Sequence, residues 1–572
     1  MSGPTSPAPA TGAPAPLRRI AGLLGVYLCL AVVITLPWRG LLGHPEIDVW
    51  NHAWGYWWVA DALGDGALPW HTTRLGAPNG GVLWFVDMVG AFTQLPTTWA
   101  LGPAAAYNAA IVGRVALAGL GAHLLCERLY GRGAHALVAG IGLATAPMLL
   151  CEVHNGISEV VAIHWVAFGL LAAARALGVG ESAAEPRFRD FVVLGLVGGL
   201  TTAASFYYGL TLALLVAGWG VSRARQLDTG AWRGLALAAL VALVVGLPAL
   251  LALRASIADP AALVRRGGDL NSALAAHNAV DPRVYLTPGT FWSVDLLARY
   301  GEPFRHTGYL RWTAVGLAAV TVARRPREAA PWVAMALVSL VLGLGPYLWW
   351  NEDWVRVGGK LLSLPFGWMQ KLVPELAITH PLRLSVGAQV IVAVLAGGAL
   401  RGRPATWVTG AALLLALETA LGSVAVWPIP VSPTAVPSIY AEIADDADAR
   451  AVLDLPAEVG TGMATSRYFW FQTVHHHPIP YTPDARAGST GDAETFGALP
   501  SSMASPGREP PPTPALRPPQ VEHLRAVYGW IVLHTDLDAR TGRPGQLEPM
   551  FTAALGPPTK GDGDTLVWRL GR

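Results

Sequence analysis

The chain of 572 residues combines 53% hydrophobic residues with only 14% charged residues. Soluble domains carry about 25% charged residues, so this composition is typical of a protein embedded in a lipid bilayer. The formal net charge of +2 comes from basic residues spread along the chain, which excludes a nucleic acid as the expected partner. The three cysteines, Cys29, Cys126 and Cys151, lie in apolar runs and are interpreted as free thiols.

Apolar runs predict the membrane spans. Residues 1–16 are rich in Pro, Ala, Gly, Ser and Thr and predict a disordered tail. The run after Arg18 and Arg19 is longer than the core of a signal peptide and lacks a cleavage site, so it predicts an uncleaved first helix. Counting runs of ~20 apolar residues gives about eleven spans. They are 17–36, 104–127, 134–153, 157–177, 190–206, 207–222, 234–256, 307–323, 331–350, 383–401 and 405–426.

Arginines in the turns between spans indicate the orientation. With a cytoplasmic amino terminus, every short turn assigned to the cytoplasm contains at least two arginines, as the positive-inside rule requires. These are Arg128 and Arg132; Arg187 and Arg189; Arg223, Arg225 and Arg233; Arg324, Arg325 and Arg327; and Arg401 and Arg403. A further span at 82–101 is rejected because it would reverse this pattern. The protein is therefore predicted to lie in the cytoplasmic (inner) membrane, with 37–103, 257–306, 351–382 and all residues after 427 outside.

Two outer segments have distinct compositions. The first outer loop, 37–103, is rich in Trp, which suggests helices lying in the membrane interface. From Pro428 the chain turns rich in Pro, Asp, Ser and Thr, with expected strands at 451–456, 529–534 and 565–570 and helices at 439–446 and 521–528. The predicted fold is a polytopic all-α membrane domain over 17–427, followed by a small extracytoplasmic α/β domain over 428–572 with a disordered Pro-rich loop at 498–519.

The order of several motifs resembles that of a known superfamily. The motifs are Glu46-Ile-Asp48 with Trp50, Trp54 and Trp58; Ala77-Pro78-Asn79-Gly80-Gly81; Glu152-Val153-His154-Asn155-Gly156 with Glu159; His380-Pro381-Leu382-Arg383; and Val452-Leu453-Asp454-Leu455-Pro456 with Arg467-Tyr468 and His477-Pro478-Ile479. This order and topology are similar, over nearly the whole chain, to the bacterial integral membrane glycosyltransferases of the GT-C superfamily, including its YfhO-like and Rgt-like members.

The resemblance implies a function. It implies a polyprenyl-phosphate-linked sugar as donor and transfer to an envelope glycan, lipid or protein acceptor on the outer face of the membrane. In that superfamily an acidic residue in the first outer loop is the catalytic base, and Asp48 is the matching position here. The chain has Glu-x-Asp where some members have Asp-x-Asp, so participation of a divalent cation, Mg²⁺ or Mn²⁺, stays an open alternative.

The residues around Asp48 suit this chemistry. Glycosyl transfer to a hydroxyl needs a base, and a carboxylate both accepts the proton and stabilises the cationic anomeric centre. Asp48 is the candidate base, with Glu46 as its helper or a metal ligand; the alternative is that Asp48 caps a helix beginning at Val49. His52 lies four residues later and would share a helix face with Asp48, where it orients the carboxylate, contacts phosphate or is simply packed.

A second polar cluster is expected at the turn between the third and fourth spans. Glu152, His154 and Glu159 lie there, on the same predicted side as Asp48. They complete an acidic pocket or hold a divalent cation through oxygen ligands, unless they only cap helices in a polar turn.

A lipid-phosphate donor requires cations at the outer headgroup level. Arg383, preceded by His380, is the best placed, and Arg311, Arg265 and Arg266 are weaker candidates. The alternative is that these arginines reach to lipid headgroups.

Charges inside predicted spans also predict function or pairing. Arg114 and Glu418 each lie well inside a span and are predicted to form an intramembrane ion pair. The run 475–477 of three histidines lacks companion ligands at the usual zinc spacing. The competing functions are a transporter or flippase of a lipid-linked glycan and a non-catalytic envelope assembly protein.

Overall fold

Long helices make up most of the chain up to residue 422 in the computed structural model. The structure describes residues 15–181, 185–264, 268–289, 304–373, 376, 378–457, 464–483, 515–541 and 544–571. Residues 1–14 of the predicted tail, residues 498–514 of the predicted Pro-rich loop, and both Arg265 and Arg266 lie outside the described residues.

The helices of this part follow the apolar runs of the sequence. They are α1 (Ala15–Thr35), α2 (Val49–Gly64), α3 (Met88–Thr93), α4 (Leu95–Leu101), α5 (Pro103–Tyr130), α6 (Ala136–Ala144), α7 (Pro147–Asn155), α8 (Ser158–Val161), α9 (His164–Ala176), α10 (Phe188–Ala204), α11 (Phe206–Ser222), α12 (Thr229–Ala258), α13 (Gly268–His277), α14 (Trp312–Arg324), α15 (Pro326–Gly343), α16 (Pro365–Leu372), α17 (Val386–Ala399) and α18 (Ala405–Gly422).

Each predicted span overlaps at least one of these helices. Among the described residues, seven helical segments are long and apolar enough to cross a membrane: Leu17–Thr35, Pro103–Tyr130, Ala136–Asn155, Ser158–Ala176, Thr229–Ala258, Pro381–Ala399 and Ala405–Gly422. Phe206–Ser222 and Trp312–Arg324 are shorter apolar helices. The chain is therefore a mostly helical membrane protein, and the full number of spans and their orientation stay predictions.

Two predicted spans differ from the helices found. The third is broken between α6 and α7 because Pro147, which starts α7, lacks the N–H needed to continue α6. The predicted span 331–350 is wrong at its end, since α15 stops at Gly343 and Trp349–Trp350 (β4) pairs with Asp353–Trp354 (β5). A second small hairpin follows, formed by Arg356–Val357 (β6) and Lys360–Leu361 (β7).

The first outer loop is more deeply buried than the sequence suggested. Every residue of α2 from Val49 to Ala60 is buried, so α2 packs inside the protein, and its position at the membrane interface stays a prediction. The helix is enclosed by α5 on one side and by a helix of the carboxyl-terminal region on the other. The rejected span at 82–101 contains α3 and α4, of 6 and 7 residues, which are too short to cross a bilayer.

Residues after 428 form a four-stranded sheet with helices. Its strand order is β11 (Lys560–Asp562), β12 (Thr565–Arg569), β10 (Tyr528–His534) and β9 (Ala451–Leu455); β10 is parallel to β9 and antiparallel to β12. The strands predicted at 451–456, 529–534 and 565–570 thus correspond to β9, β10 and β12. The helices are α19 (Ile439–Ala444), α20 (Arg467–His475), α21 (Pro518–Val527), α22 (Thr535–Asp538) and α23 (Leu547–Leu555).

The carboxyl-terminal region is joined to the first outer loop by backbone hydrogen bonds. Leu41–Leu42 (β1), just after α1, pairs antiparallel with Val431–Ser432 (β8). Within the loop, His71–Thr72 (β2) pairs with Gly81–Val82 (β3), and the N–H of Ile479 donates to the carbonyl of Arg74 over 2.9 Å. These contacts fix the chain on both sides of α2, and so fix the position of Asp48.

Candidate active site

Asp48 lies immediately before α2, where two segments of the chain meet. Gly156, which follows α7, touches the start of this helix: a Cβ atom added to Gly156 would lie 2.7 Å from the Cβ of Val49. Gly156 also has φ +74°, a conformation that favours glycine. The Tyr107 hydroxyl donates to the carbonyls of Leu42 (2.8 Å) and Gly156 (3.0 Å) and fastens the two segments together. The turn that carries Glu152 to Glu159 is thereby brought beside Asp48.

The side chain of Asp48 is partly exposed. Asp48 occupies the N-cap position of α2, as the alternative interpretation expected, but its side chain makes no capping hydrogen bond. The first backbone bond of the helix runs from the N–H of His52 to the carbonyl of Asp48, over 3.2 Å. His52 therefore lies one turn from Asp48, as predicted from their spacing.

His52 is buried and contacts two residues of α8. Its Nδ1 lies 3.0 Å from Ser158 Oγ, and its Nε2 lies 3.5 Å from Glu159 Oε2. Burial lowers the pKa of His52 below its usual value, although Asp48 and Asp87 act in the opposite direction. A neutral imidazole is therefore favoured at this position.

A buried ion pair between Arg114 and Asp87 packs against Ser158, the residue that His52 contacts. Arg114 binds both carboxylate oxygens of Asp87, each over 2.7 Å, and also donates to the carbonyl of Ser158 over 2.6 Å. Asp87 accepts further hydrogen bonds from the hydroxyls of Tyr56 (2.7 Å) and Ser158. Burial alone would raise the pKa of Asp87, but Arg114 and these hydrogen bonds outweigh it and hold the pKa below its usual value. Asp87 is therefore ionised.

The predicted Arg114–Glu418 ion pair is wrong. Glu418 instead accepts hydrogen bonds from the backbone N–H groups of Trp312 (2.7 Å) and Thr313 (3.1 Å) and caps the amino terminus of α14. A carboxylate is stabilised there by unpaired N–H groups and by the helix dipole. The prediction used only the similar depth of Arg114 in α5 and Glu418 in α18. Depth does not show that the two side chains point to different neighbours.

The predicted residues Glu152 and Arg383 meet in a second buried pair. Arg383 Nε and Nη2 lie 3.3 and 3.4 Å from the two oxygens of Glu152. The Arg383 guanidinium also lies 5.3 Å from the ring centre of Tyr207, a cation–π contact. Asn155 donates to Glu152 over 3.4 Å. Arg383 is thus a cation held in a fixed position next to the 152–159 turn.

Histidines line this second pair. His306 Nδ1 lies 3.7 Å from Glu152 Oε1, and the His306 ring stacks on that of His380 with centroids 5.7 Å apart. Burial lowers the pKa of His306 to about 4. His154 stacks on His44 with centroids 5.4 Å apart. Since Arg383 acts electrostatically on His52 as well, the groups around His52 and around Glu152 form one polar cluster.

Two predicted site residues have other partners. Glu46 forms an ion pair with Arg540 of the carboxyl-terminal region, and its role beside Asp48 stays a prediction. Arg311 is buried against the carboxyl end of α6, where it donates to the carbonyl of Gly142 and to Thr145 Oγ1 (3.1 Å). The break before α7 leaves carbonyl groups of α6 without helical partners, and Arg311 satisfies them. The structure therefore gives Arg311 a structural role instead of the predicted phosphate contact.

The histidines, cysteines and carboxylates form no evident metal site among the described residues. In the part of the chain that the structure describes, no group of three His, Cys, Asp or Glu side chains is arranged to hold a metal ion. Of the three histidines at 475–477, His475 stacks on Tyr440 and on His477, the latter with centroids 5.9 Å apart, whereas His476 contacts the ring of Trp57. Cys29 is exposed and free, and Cys126 and Cys151 are buried and free.

Sequence reasoning missed three residues of the cluster. Asp87 had a signal, because it is the one charged residue between 82 and 101 and so required a partner inside the protein. For Ser158 and His306 the sequence contained no such signal. A serine in a turn and a histidine in an outer loop are most often surface residues.

Comparisons with known proteins show the fold. No protein-family model matches the chain, and no curated protein matches it in sequence. An oligosaccharyltransferase from Archaeoglobus fulgidus, tethered to an acceptor peptide with the NVT sequon, matches with a TM-score of 0.53 at 13% identity, over 91% of this chain and 69% of that one. AglB from Archaeoglobus fulgidus, in complex with an inhibitory peptide and a dolichol-phosphate, gives 0.52 at 12% identity, over 92% and 71%.

A third structure extends the comparison to bacteria. The arabinofuranosyltransferase AftD from Mycobacteria matches with a TM-score of 0.51 at 15% identity, over 97% of this chain and 42% of AftD. Two of these structural neighbours are oligosaccharyltransferases and the third is an arabinofuranosyltransferase. The chain therefore shares the fold of these three structures, and its membership of the GT-C superfamily stays a proposal.

Proposed function

We propose that this protein is an inverting membrane glycosyltransferase that moves a sugar from a polyprenyl-phosphate donor to an envelope glycan, lipid or protein acceptor on the outer face of the cytoplasmic membrane. The observation that carries the proposal is the position of Asp48, in a GT-C fold, beside a cluster that contains the buried cation Arg383. The order of the sequence motifs is the ground for placing it near the YfhO-like and Rgt-like members.

The proposed reaction is a single displacement. Asp48 accepts the proton of the acceptor hydroxyl as its oxygen bonds to the anomeric carbon, while the bond from that carbon to the phosphate oxygen breaks. The lipid phosphate leaves with the bonding electrons. Arg383 stabilises its negative charge, and Glu152 holds the guanidinium in place.

The donor class is supported by the neighbours, but the sugar is not. AglB has been captured with dolichol-phosphate, a lipid phosphate. One neighbour is an oligosaccharyltransferase and another an arabinofuranosyltransferase, so both hexosyl and pentosyl donors belong in a test.

The test is Asp48→Asn in purified, folded protein, assayed with a panel of polyprenyl-phosphate sugars. Loss of a general base lowers the rate by roughly 10²–10⁴-fold, and this is the expected result. Asp61→Asn is the matched control, because Asp61 lies at the other end of α2 and binds Arg74 (3.1 Å). Undiminished transfer by Asp48→Asn would refute Asp48 as the base. Absence of turnover by the wild type with every donor would favour a lipid-linked glycan transporter or a non-catalytic assembly protein.

A further inference from the structure

The hydrogen bonds around Ser158 fix the tautomer of His52. Asp87 is ionised and can only accept hydrogen bonds, so its contact with Ser158 Oγ uses the single hydroxyl proton of Ser158. The 3.0 Å contact between Ser158 Oγ and His52 Nδ1 then has no proton left on the serine side. His52 must therefore carry a proton on Nδ1 and donate it to Ser158.

This tautomer creates a conflict on the other side of the ring. In a neutral imidazole protonated at Nδ1, Nε2 carries only a lone pair. That lone pair faces Glu159 Oε2 at 3.5 Å, and an ionised carboxylate also presents only lone pairs. Both side chains are buried, with exposed fractions of 6% and 11%, and Glu159 Oε2 has no hydrogen-bond donor among the described residues. Two buried acceptors facing each other are unfavourable unless a proton lies between them.

We infer that His52 and Glu159 share one proton, and that this proton removes a negative charge from the site that receives the anionic donor. The inference rests on the proposed function for its second part only. The proton belongs to the pair: protonated Glu159 with neutral His52, and ionised Glu159 with cationic His52, are two forms of the same neutral unit.

The charges facing the pair explain the need for this proton. Asp87 is compensated by Arg114, and Glu152 by Arg383. Glu159 lies within the electrostatic reach of Arg383, Asp87 and Glu152, and His52 within that of Asp48. Without the shared proton, Glu159 would add a further negative charge within the electrostatic reach of Arg383. A phosphate approaching Arg383 would meet that charge, so loss of the proton weakens donor binding while Asp48 still acts as base.

The shared proton can be tested without any activity. Infrared spectroscopy detects a protonated carboxyl group, and nitrogen-15 NMR of labelled histidine detects an imidazolium. Titrating the purified full chain is expected to release one proton from the pair with the same apparent midpoint by both methods. Glu159→Gln removes this signal, and Glu328→Gln, in the first turn of α15, is the matched control that keeps it. A difference spectrum between the wild type and Glu159→Gln with neither signal over the whole pH range in which both proteins are folded would overturn the inference.

Ser158→Ala is a second variant, which also removes the titrating proton but leaves the pair negatively charged, whereas Glu159→Gln leaves it neutral. Without the Ser158 hydroxyl, His52 is free to carry its proton on Nε2 and donate it to ionised Glu159, so the pair no longer needs an extra proton. The titration signal is expected to disappear, as in Glu159→Gln, but the pair then keeps its negative charge. An unchanged proton count in folded Ser158→Ala would contradict the tautomer assignment.

Activity then connects the proton to the donor. In the wild type the donor KM is expected to rise about tenfold as the shared proton is lost at higher pH, with little change in kcat. Glu159→Gln, which is always neutral, keeps the low KM, and Ser158→Ala has the high KM at every pH. Equal changes in KM for both variants would indicate a merely structural role and refute the electrostatic one. If the wild type transfers no sugar, the spectroscopic result still decides whether the proton is shared.

Discussion

Removal of Arg114 is expected to destabilise the protein more than any other single change considered for this cluster. Arg114→Leu leaves Asp87 buried, with an exposed fraction of 0%, and takes away two hydrogen bonds of 2.7 Å. Breaking a buried ion pair by removing one partner costs about 3–5 kcal/mol. Asp87 keeps donors from Tyr56, Ser158 and the N–H of Gly90, so the lower end of this range, about 3 kcal/mol, is expected.

A double-mutant cycle separates this pair from the one predicted by sequence. Replacing Asp87 as well removes the uncompensated charge, so Arg114→Leu with Asp87→Leu should cost less than the sum of the single changes, with a coupling of about 2 kcal/mol. Glu418→Leu, combined with Arg114→Leu, should be additive within about 0.5 kcal/mol. The measurement is the free energy of unfolding in detergent micelles. Additivity for Arg114 and Asp87, or strong coupling of Arg114 to Glu418, would refute the assignment.

Three further predictions concern the surroundings of the site. Gln472→Leu removes the acceptor of the Trp54 indole N–H (2.7 Å) and should cost about 1–3 kcal/mol in the same unfolding assay. Glu46→Gln should change stability by only about 0–1 kcal/mol, because its ion pair with Arg540 is partly exposed; a loss above that range would show an additional role for Glu46. Burial keeps His306 neutral in the folded state with a pKa of about 4, so the unfolded state binds its proton first, and lowering the pH from about 6.5 to about 4 should remove about 3 kcal/mol of stability. His306→Asn should flatten this part of the stability curve, and an unchanged slope would contradict the assignment.

The helices of the membrane part were predictable because their signal is local. A run of about twenty apolar residues has few alternatives to a helix in a bilayer. The break at Pro147 was also readable in principle, since proline cannot continue a helix. The end of α15 was not predictable, because Trp349 and Trp350 are apolar enough to continue a membrane helix. They form a strand because the chain turns back and pairs them with Asp353 and Trp354.

The sequence predicted which residues belong to the candidate site, but not which charged side chains pair with each other. Placing Asp48, Glu152 and Arg383 on one side of the membrane needed only the order of the spans and their flanking charges. Which carboxylate each arginine contacts depends on the rotation of each helix about its axis. That rotation is set by packing among all neighbouring helices, so Arg114 met Asp87 rather than Glu418.

The burial of α2 shows a further limit of sequence reasoning. Trp residues are common both at membrane interfaces and in buried contacts, since the indole combines a large apolar surface with one N–H donor. In α2 the donor of Trp54 finds Gln472, more than four hundred positions later in the sequence, and its ring stacks on Trp58. No local pattern distinguishes these two uses of tryptophan.

The carboxyl-terminal region therefore belongs to the structural support of the candidate site. It pairs with the chain before α2 through β1 and β8, covers α2 with α20, and binds the loop after α2 through Ile479. Asp48 lies between the first two of these attachments. A loop fixed before and after Asp48 by contacts with this region loses less conformational entropy when a substrate binds, because the cost of ordering it was met on folding. This arrangement holds Asp48 on a segment that is already ordered in the folded protein, which supports the proposal that Asp48 acts as the base.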